Sequence, residues 1–111
     1  MTQIEWADFE RVELRVGTVV SAESLEGARK PAYRLKVDFG ELGVKSSSAQ
    51  ITAHYRAEQL VGRQVVAVLN FPPKRIAGFL SEALVTGFAD ENGEGGLAVP
   101  ERKVPNGSKL F

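Results

Sequence analysis

The sequence predicts a mainly β fold: a small, partly closed Greek-key barrel with a short N-terminal helix and one helix between strands 3 and 4. Three observations predict it. Five or more short segments either alternate apolar and polar residues or form brief β-branched runs. Glycine and proline punctuate the intervals, and Asn92-Gly93 is the strongest hairpin signal. Only one interval between strands is long enough for a helix, so a parallel βαβ sheet would lack its crossovers.

Residues 6–10 place Trp6 and Phe9 three apart, on one side of a helical turn. So short a helix must dock on the domain or on a second subunit. Residues 12–20 open with strict alternation. Val12, Leu14 and Val16 share one face and Glu13 and Arg15 the other, the pattern of a half-buried strand. Gly17 marks a bulge or a sharp bend. Residues 25–31 form a loop, by Gly27 and Pro31. Residues 33–39 are the clearest strand, with Tyr33, Leu35, Val37 and Phe39 on one face. Residues 44–50 return as its hairpin partner, made unusually polar by three serines. Residues 51–61 read as a helix carrying Ile51, Tyr55 and Leu60, with Gly62 as its stop. Residues 63–69 and 83–88 are strands on either side of a central segment. Residues 90–96 turn the chain, 97–100 return as a short strand, 104–107 turn again, and 109–111 form a tail. Short strands with glycine-rich corners suit the OB type of barrel, whose exposed strand face and loops bind oligonucleotides.

At 111 residues the chain is expected to be one domain, residues 1–111. Its apolar share of 43% and charged share of 25% are those of a soluble globular chain, and no apolar run approaches a membrane span. The N-terminus lacks the basic start and apolar run of a signal peptide. The absence of cysteine excludes disulfides, thiolate nucleophiles and cysteine metal sites, and fits a cytoplasmic protein. Net charge is zero, which argues against a dedicated polyanion binder, yet residues 28–81 hold nine cations against three acids. That centre is either one positive face or scattered charge neutralised by the acidic ends.

Catalytic chemistry is sparse. His54 is the only histidine and has neither a cysteine to activate nor a second metal-ligating histidine. The carboxylates show no acid/base or calcium-loop spacing. No phosphate-loop or dinucleotide fingerprint occurs. The chain therefore reads as a binding protein rather than an enzyme, with no cofactor and no metal.

The binding signals centre on residues 69–84. Two prolines deny this segment a helix, so it is extended or turning. Phe71, Ile76, Phe79 and Leu80 either fill the core or line a groove for apolar polypeptide. Lys74, Arg75 and Ser81 can hold phosphate oxygens. Arg34 and Lys36 point the same way on their strand, and Lys45 is expected on the neighbouring one, so these cations could track a nucleic-acid backbone. Trp6, Phe9, Leu110 and Phe111 fall outside the strand patterns and mark either a dimer interface or caps on the barrel ends.

Residues 8–17 resemble the opening of the EMAP-II-like tRNA-binding domain, which occurs alone or appended to aminoacyl-tRNA synthetases. Residues 60–66 and the pair Ser81-Glu82 resemble its later blocks. Residues 44–52 and 70–82 resemble the CsaA family, export-related chaperones of bacteria built on that domain. The resemblance implies an OB-fold barrel that dimerises through its N-terminal helix and C-terminal strands. It implies a homodimer that holds unfolded or pre-secretory polypeptides, with tRNA binding as a family trait. Leu84 stands where the tRNA-binding relatives carry methionine. Two readings remain open: a chaperone with its groove at Phe71, Ile76, Phe79 and Leu80, and a tRNA-binding module contacting RNA through Arg34, Lys45, Lys74, Arg75, Ser81 and Leu84.

Overall fold

The computed structural model describes every residue, Met1–Phe111. Nine strands and two helices follow in the order α1 (Trp6–Glu10), β1 (Leu14–Ser24), β2 (Tyr33–Asp38), β3 (Val44–Ala49), α2 (Ala57–Leu60), β4 (Gln64–Val68), β5 (Lys74–Ile76), β6 (Phe79–Ser81), β7 (Leu84–Val85), β8 (Gly87–Ala89) and β9 (Gly95–Leu97). Five strands form an antiparallel sheet in the order β3-β2-β1-β4-β7. Its two edges nearly meet. The N–H groups of Glu82 and Ala83 both donate to Ser46 O, at 2.8 and 3.1 Å. The result is the mainly β, nearly closed OB-type barrel that the strand pattern predicts.

The core follows from the side-chain alternation. Tyr33, Leu35, Val37 and Phe39 are all buried, as a period of two requires, and pack with Val19, Ile51, Leu60, Val65 and Ala67. Ser47 is buried among them. Its hydroxyl donates to Ser48 O at 3.0 Å and accepts from Val85 N–H at 3.4 Å, so the polar strand β3 joins β7 without leaving a buried group unpaired.

The fold departs from the expected pattern in three places. In β1 the barrel interior receives Gly17 and Val19, not Leu14 and Val16. Val16, Val66 and Val68 are buried on the other face, so this part of the sheet is covered on both sides and alternation does not mark the interior. The β-bulge lies between Val19 and Ser21, beyond Gly17. Gly17 instead makes room: a Cβ there would lie 2.6 Å from both Phe39 Cδ1 and Val37 Cγ1.

The expected helix over residues 51–61 shrinks to Ala57–Leu60. The Tyr33 hydroxyl donates to Tyr55 O at 2.7 Å, and Leu97 N–H donates to the Tyr55 hydroxyl at 3.0 Å. Those two bonds pin Tyr55 between β2 and β9 and prevent a continuous helix. Arg56 N–H bonds Gln59 Oε1 at 2.9 Å to start α2, and Gly62 at φ 92° ends it.

The strand expected over residues 83–88 breaks at Thr86, whose hydroxyl donates to Val66 O at 2.7 Å, and continues as β8 paired with β9. No helix is long and apolar enough to cross a membrane.

Candidate binding site

The central segment folds as a hairpin. Lys74 pairs with Ser81, Arg75 with Leu80 and Ile76 with Phe79. The two-residue turn is Ala77-Gly78, with φ of 50° and 76°. Consecutive positive φ values belong to the primed turns, whose twist matches that of the strands they join. Opposed residues share a face. Lys74, Ile76, Phe79 and Ser81 therefore lie on one side of the hairpin and Arg75 and Leu80 on the other.

This register divides the four expected groove residues. Phe71, Ile76 and Leu84 come together around a cavity of ≈ 250 Å³, with Lys74 and Ser81 at its margin. Leu80 lies on the opposite side of the hairpin. Phe79 sits under the Arg34 guanidinium, 5.8 Å from its carbon to the ring centroid, in a cation–π contact. Leu84, which the family resemblance puts in an RNA site, lines the same cavity as Phe71 and Ile76.

The expected cations divide as well. In the β2–β3 pair, Arg34 faces Ser48 and Lys36 faces Ser46, but Lys45 faces Val37. Lys45 therefore lies on the inward side at the barrel end, away from Arg34. Arg34 is paired with Glu23 at 3.3 Å. Ser81 is engaged: Ser48 N–H donates to its Oγ at 3.3 Å, and it donates to Ala83 O at 3.3 Å. Glu82 Oε1 accepts from Ser46 N–H at 3.1 Å and from Ser46 Oγ at 3.0 Å. Together Ser81 and Glu82 tie the hairpin base to the edge of β3.

Lys74 and Arg75 meet two cations that sequence reasoning left out of the site. A cleft of ≈ 780 Å³ separates β5 from the 25–32 loop, with Lys74 and Arg75 on one wall and Arg29 and Lys30 on the other. No carboxylate lines this cleft, and none of the four cations is in a salt bridge. The available signal was the Arg29-Lys30 pair at the tip of a Gly-to-Pro loop between the first two strands. Ser48, Lys74 and Ile76 line both the basic cleft and the apolar cavity, so the two are adjoining halves of one depression. A third cavity, ≈ 360 Å³, continues from Leu84 to Phe88, which is 75% exposed and carried no signal in its own short strand.

His54 fastens a turn. Its Nε2 lies 2.7 Å from Asp90 Oδ2, while Asp90 Oδ1 accepts from the N–H groups of Asn92 and Glu94, each at 2.9 Å. The backbone bond from Glu94, then the side-chain bond from His54, hold the Asp90 carboxyl below the usual aspartate value. At the opposite end of the molecule, Trp6 stacks on Phe9 with centroids 5.5 Å apart, and Trp6, Leu110 and Phe111 are exposed. The tail runs beside α1: Lys109 Nζ donates to Glu10 O at 3.0 Å. The four expected interface residues therefore come from two neighbouring segments.

A nearly closed antiparallel barrel with a mixed basic and apolar depression defines a binding module. The family described as "Putative tRNA binding domain" matches residues 14–109. The crystal structure of chaperone CsaA from Bacillus anthracis str. Ames superposes with a TM-score of 0.93 at 53% identity, covering 99% of this chain and 100% of that one. The CsaA chaperone protein from Picrophilus torridus gives a TM-score of 0.90 at 42% identity, covering 98% and 100%. The methionine–tRNA ligase of Bdellovibrio bacteriovorus is 42% identical over 83 residues, 75% of this chain. The chain spans only 12% of that ligase. The chain belongs to the tRNA-binding domain family, in the branch of the CsaA proteins.

Proposed function

We propose that this chain is a non-enzymatic, cytoplasmic, homodimeric chaperone that holds unfolded or pre-secretory polypeptides. Residues 1–111 act as one unit. One observation carries the reading: an exposed apolar cavity between Phe71, Ile76 and Leu84 opens directly onto four unpaired cations. Unfolded segments expose apolar side chains, and nothing in this depression is arranged to react with them. End-to-end similarity to two CsaA chaperones supports the same reading. Dimerisation would use Trp6, Phe9, Leu110 and Phe111, of which Trp6, Leu110 and Phe111 are exposed apolar side chains and Phe9 is partly buried beside Trp6.

A second reading, tRNA binding by the same module, is supported by the family match over residues 14–109. Lys74 and Arg75 would then contact phosphates, joined by Arg29 and Lys30 rather than by Lys45.

The test is suppression of thermal aggregation of an unfolded reporter enzyme, run beside binding of bulk tRNA over a salt series. Phe71→Asp should abolish suppression and leave the far-UV spectrum unchanged, since Phe71 is 56% exposed. If suppression survives in both Phe71→Asp and Leu84→Asp, the groove is not the holding site. For tRNA, affinity should fall with a log–log salt slope of about −0.7 to −0.9 per phosphate contacted. A flat response would remove the second reading.

A further inference from the structure

The wall of the basic cleft that belongs to the hairpin is a strand edge. β5 pairs with β6 alone. Outside that ladder, no hydrogen bond involves a backbone atom of Lys74, Arg75 or Ile76. In a hairpin closed by a two-residue turn, the residues flanking the turn exchange both backbone bonds, and the next pair turns its groups outward. Here the flanking pair is Ile76–Phe79 and the next is Arg75–Leu80. Arg75 therefore presents a free N–H and a free C=O along the outer side of β5. The cleft lies on that side: its lining takes Lys74, Arg75, Ile76 and Ala77 in succession and no residue of β6. The 25–32 loop forms the far wall, closed at its base by Leu25 N–H to Ala32 O at 3.0 Å. At its tip, a Cβ on Gly27 would lie 3.8 Å from Ala77 Cβ.

We propose that the cleft binds an extended polypeptide by strand addition to β5, and that its preferred segments alternate acidic and apolar residues. This deepens the polypeptide-holding reading above and rests on it. An unpaired strand edge is complementary to another strand, because it offers a donor and an acceptor in alternation. A phosphate group has only acceptors to give, so the exposed carbonyl finds its donor in a peptide N–H and none in phosphate. Side chains on an added strand alternate between two faces. One face meets Arg75, with Arg29 and Lys30 across the cleft and no carboxylate to neutralise them. The other face continues from Ile76 into the cavity with Phe71 and Leu84. At ≈ 780 Å³ the cleft falls within the usual range of ligand sites.

The test uses a fluorescein-labelled octapeptide of alternating glutamate and valine, measured by anisotropy against the full chain. Two further octapeptides carry N-methyl groups on the glutamate amides or on the valine amides, so that each loses the pairing donors of one edge. A fourth replaces glutamate with lysine. The parent should bind. One N-methylated peptide should bind about tenfold more weakly, the weight of one or two lost main-chain hydrogen bonds, while the other keeps its affinity. The lysine peptide should lose at least as much, and so should the parent against Arg29→Glu/Lys30→Glu, two exposed loop positions.

Equal binding of both N-methylated peptides and the parent overturns strand addition. No binding of the parent overturns it too. So does an RNA dodecamer that binds with sensitivity to Arg29→Glu/Lys30→Glu while the parent peptide does not. Aggregation suppression measured on the same preparation separates the two levels. Suppression with neutral N-methylation removes this inference and leaves the chaperone reading standing; loss of both removes both.

Discussion

Gly17 decides whether the barrel closes around Phe39. Any side chain there meets the Phe39 ring and Val37 at 2.6 Å, and both are wholly buried, so neither can move into solvent. Gly17→Ala should cost about 1–3 kcal/mol, the usual penalty of overpacking, read as a lower denaturant midpoint. Glu13 sets a second expectation at this scale. Its carboxylate accepts two bonds from Arg15, at 2.7 and 3.0 Å, and one from Lys109 at 3.3 Å; Arg15 and then Lys109 hold it below the ordinary value of 4.5. A depressed carboxyl stabilises the fold above its unfolded value, and that contribution is lost as pH falls through the folded value. Glu13→Gln should therefore be less stable than the parent at neutral pH, and the difference should shrink as pH falls below 4.5 and vanish once pH has passed through the depressed folded value. Thermal melts across a pH series check this. Neither role was legible in the sequence, because Gly17 reads as a bend and Glu13 as one of many surface acids. Phe39 lies 22 residues from Gly17 and Lys109 lies 96 from Glu13, although Arg15 is near in the chain.

At the scale of elements, the β5–β6 hairpin carries its own strain. Ala77 holds φ at 50°, where a Cβ is disfavoured, while Gly78 beside it bears its 76° freely. Ala77→Asn would give Asn-Gly, the preferred pair for a turn with both central φ values positive. It should stabilise the hairpin by about 0.5–1 kcal/mol. Slower amide exchange at Ile76 and Phe79, with other strands unchanged, is the expected readout. The sequence declared this segment extended or turning through Pro72 and Pro73. It did not declare two strands, because three-residue strands are too short to show a period. Tyr33, Leu35, Val37 and Phe39 were legible for the opposite reason: one face is wholly interior. The helix over residues 51–61 was overdrawn because Ile51 and Tyr55 are interior without being helical, and only Leu60 belongs to a helix, the short α2. Ile51 and Tyr55 reach the core from a loop held by the hydroxyls of Tyr33 and Tyr55.

At the scale of the whole molecule, the sequence read as a binding protein with most groove candidates in residues 69–84, and the fold brings several of them around one depression. Their grouping required the register. Lys45 falls on the inward face and Leu80 on the far side of the hairpin, while Arg29 and Lys30 arrive across a cleft from residues 45 positions later. The proposed dimer is tested at this scale. Trp6 is 68% exposed and lies outside the buried core, so Trp6→Asp should leave the monomer folded. Sedimentation should show the parent as a dimer and Trp6→Asp as a monomer; an unchanged sedimentation coefficient would place the interface elsewhere.

The backbone of the last residues is part of the first strand's hydrogen bonding. Val16 N–H donates to Ser108 O at 2.9 Å, Gly107 N–H to Val16 O at 2.7 Å and Leu110 N–H to Leu14 O at 2.8 Å. During synthesis, β1 emerges early and waits for these partners until Gly107 to Leu110 have left the ribosome. Contacts so remote in sequence form late and slowly. The growing chain therefore displays an open strand edge along Leu14 to Val16 until residues 107–110 have emerged.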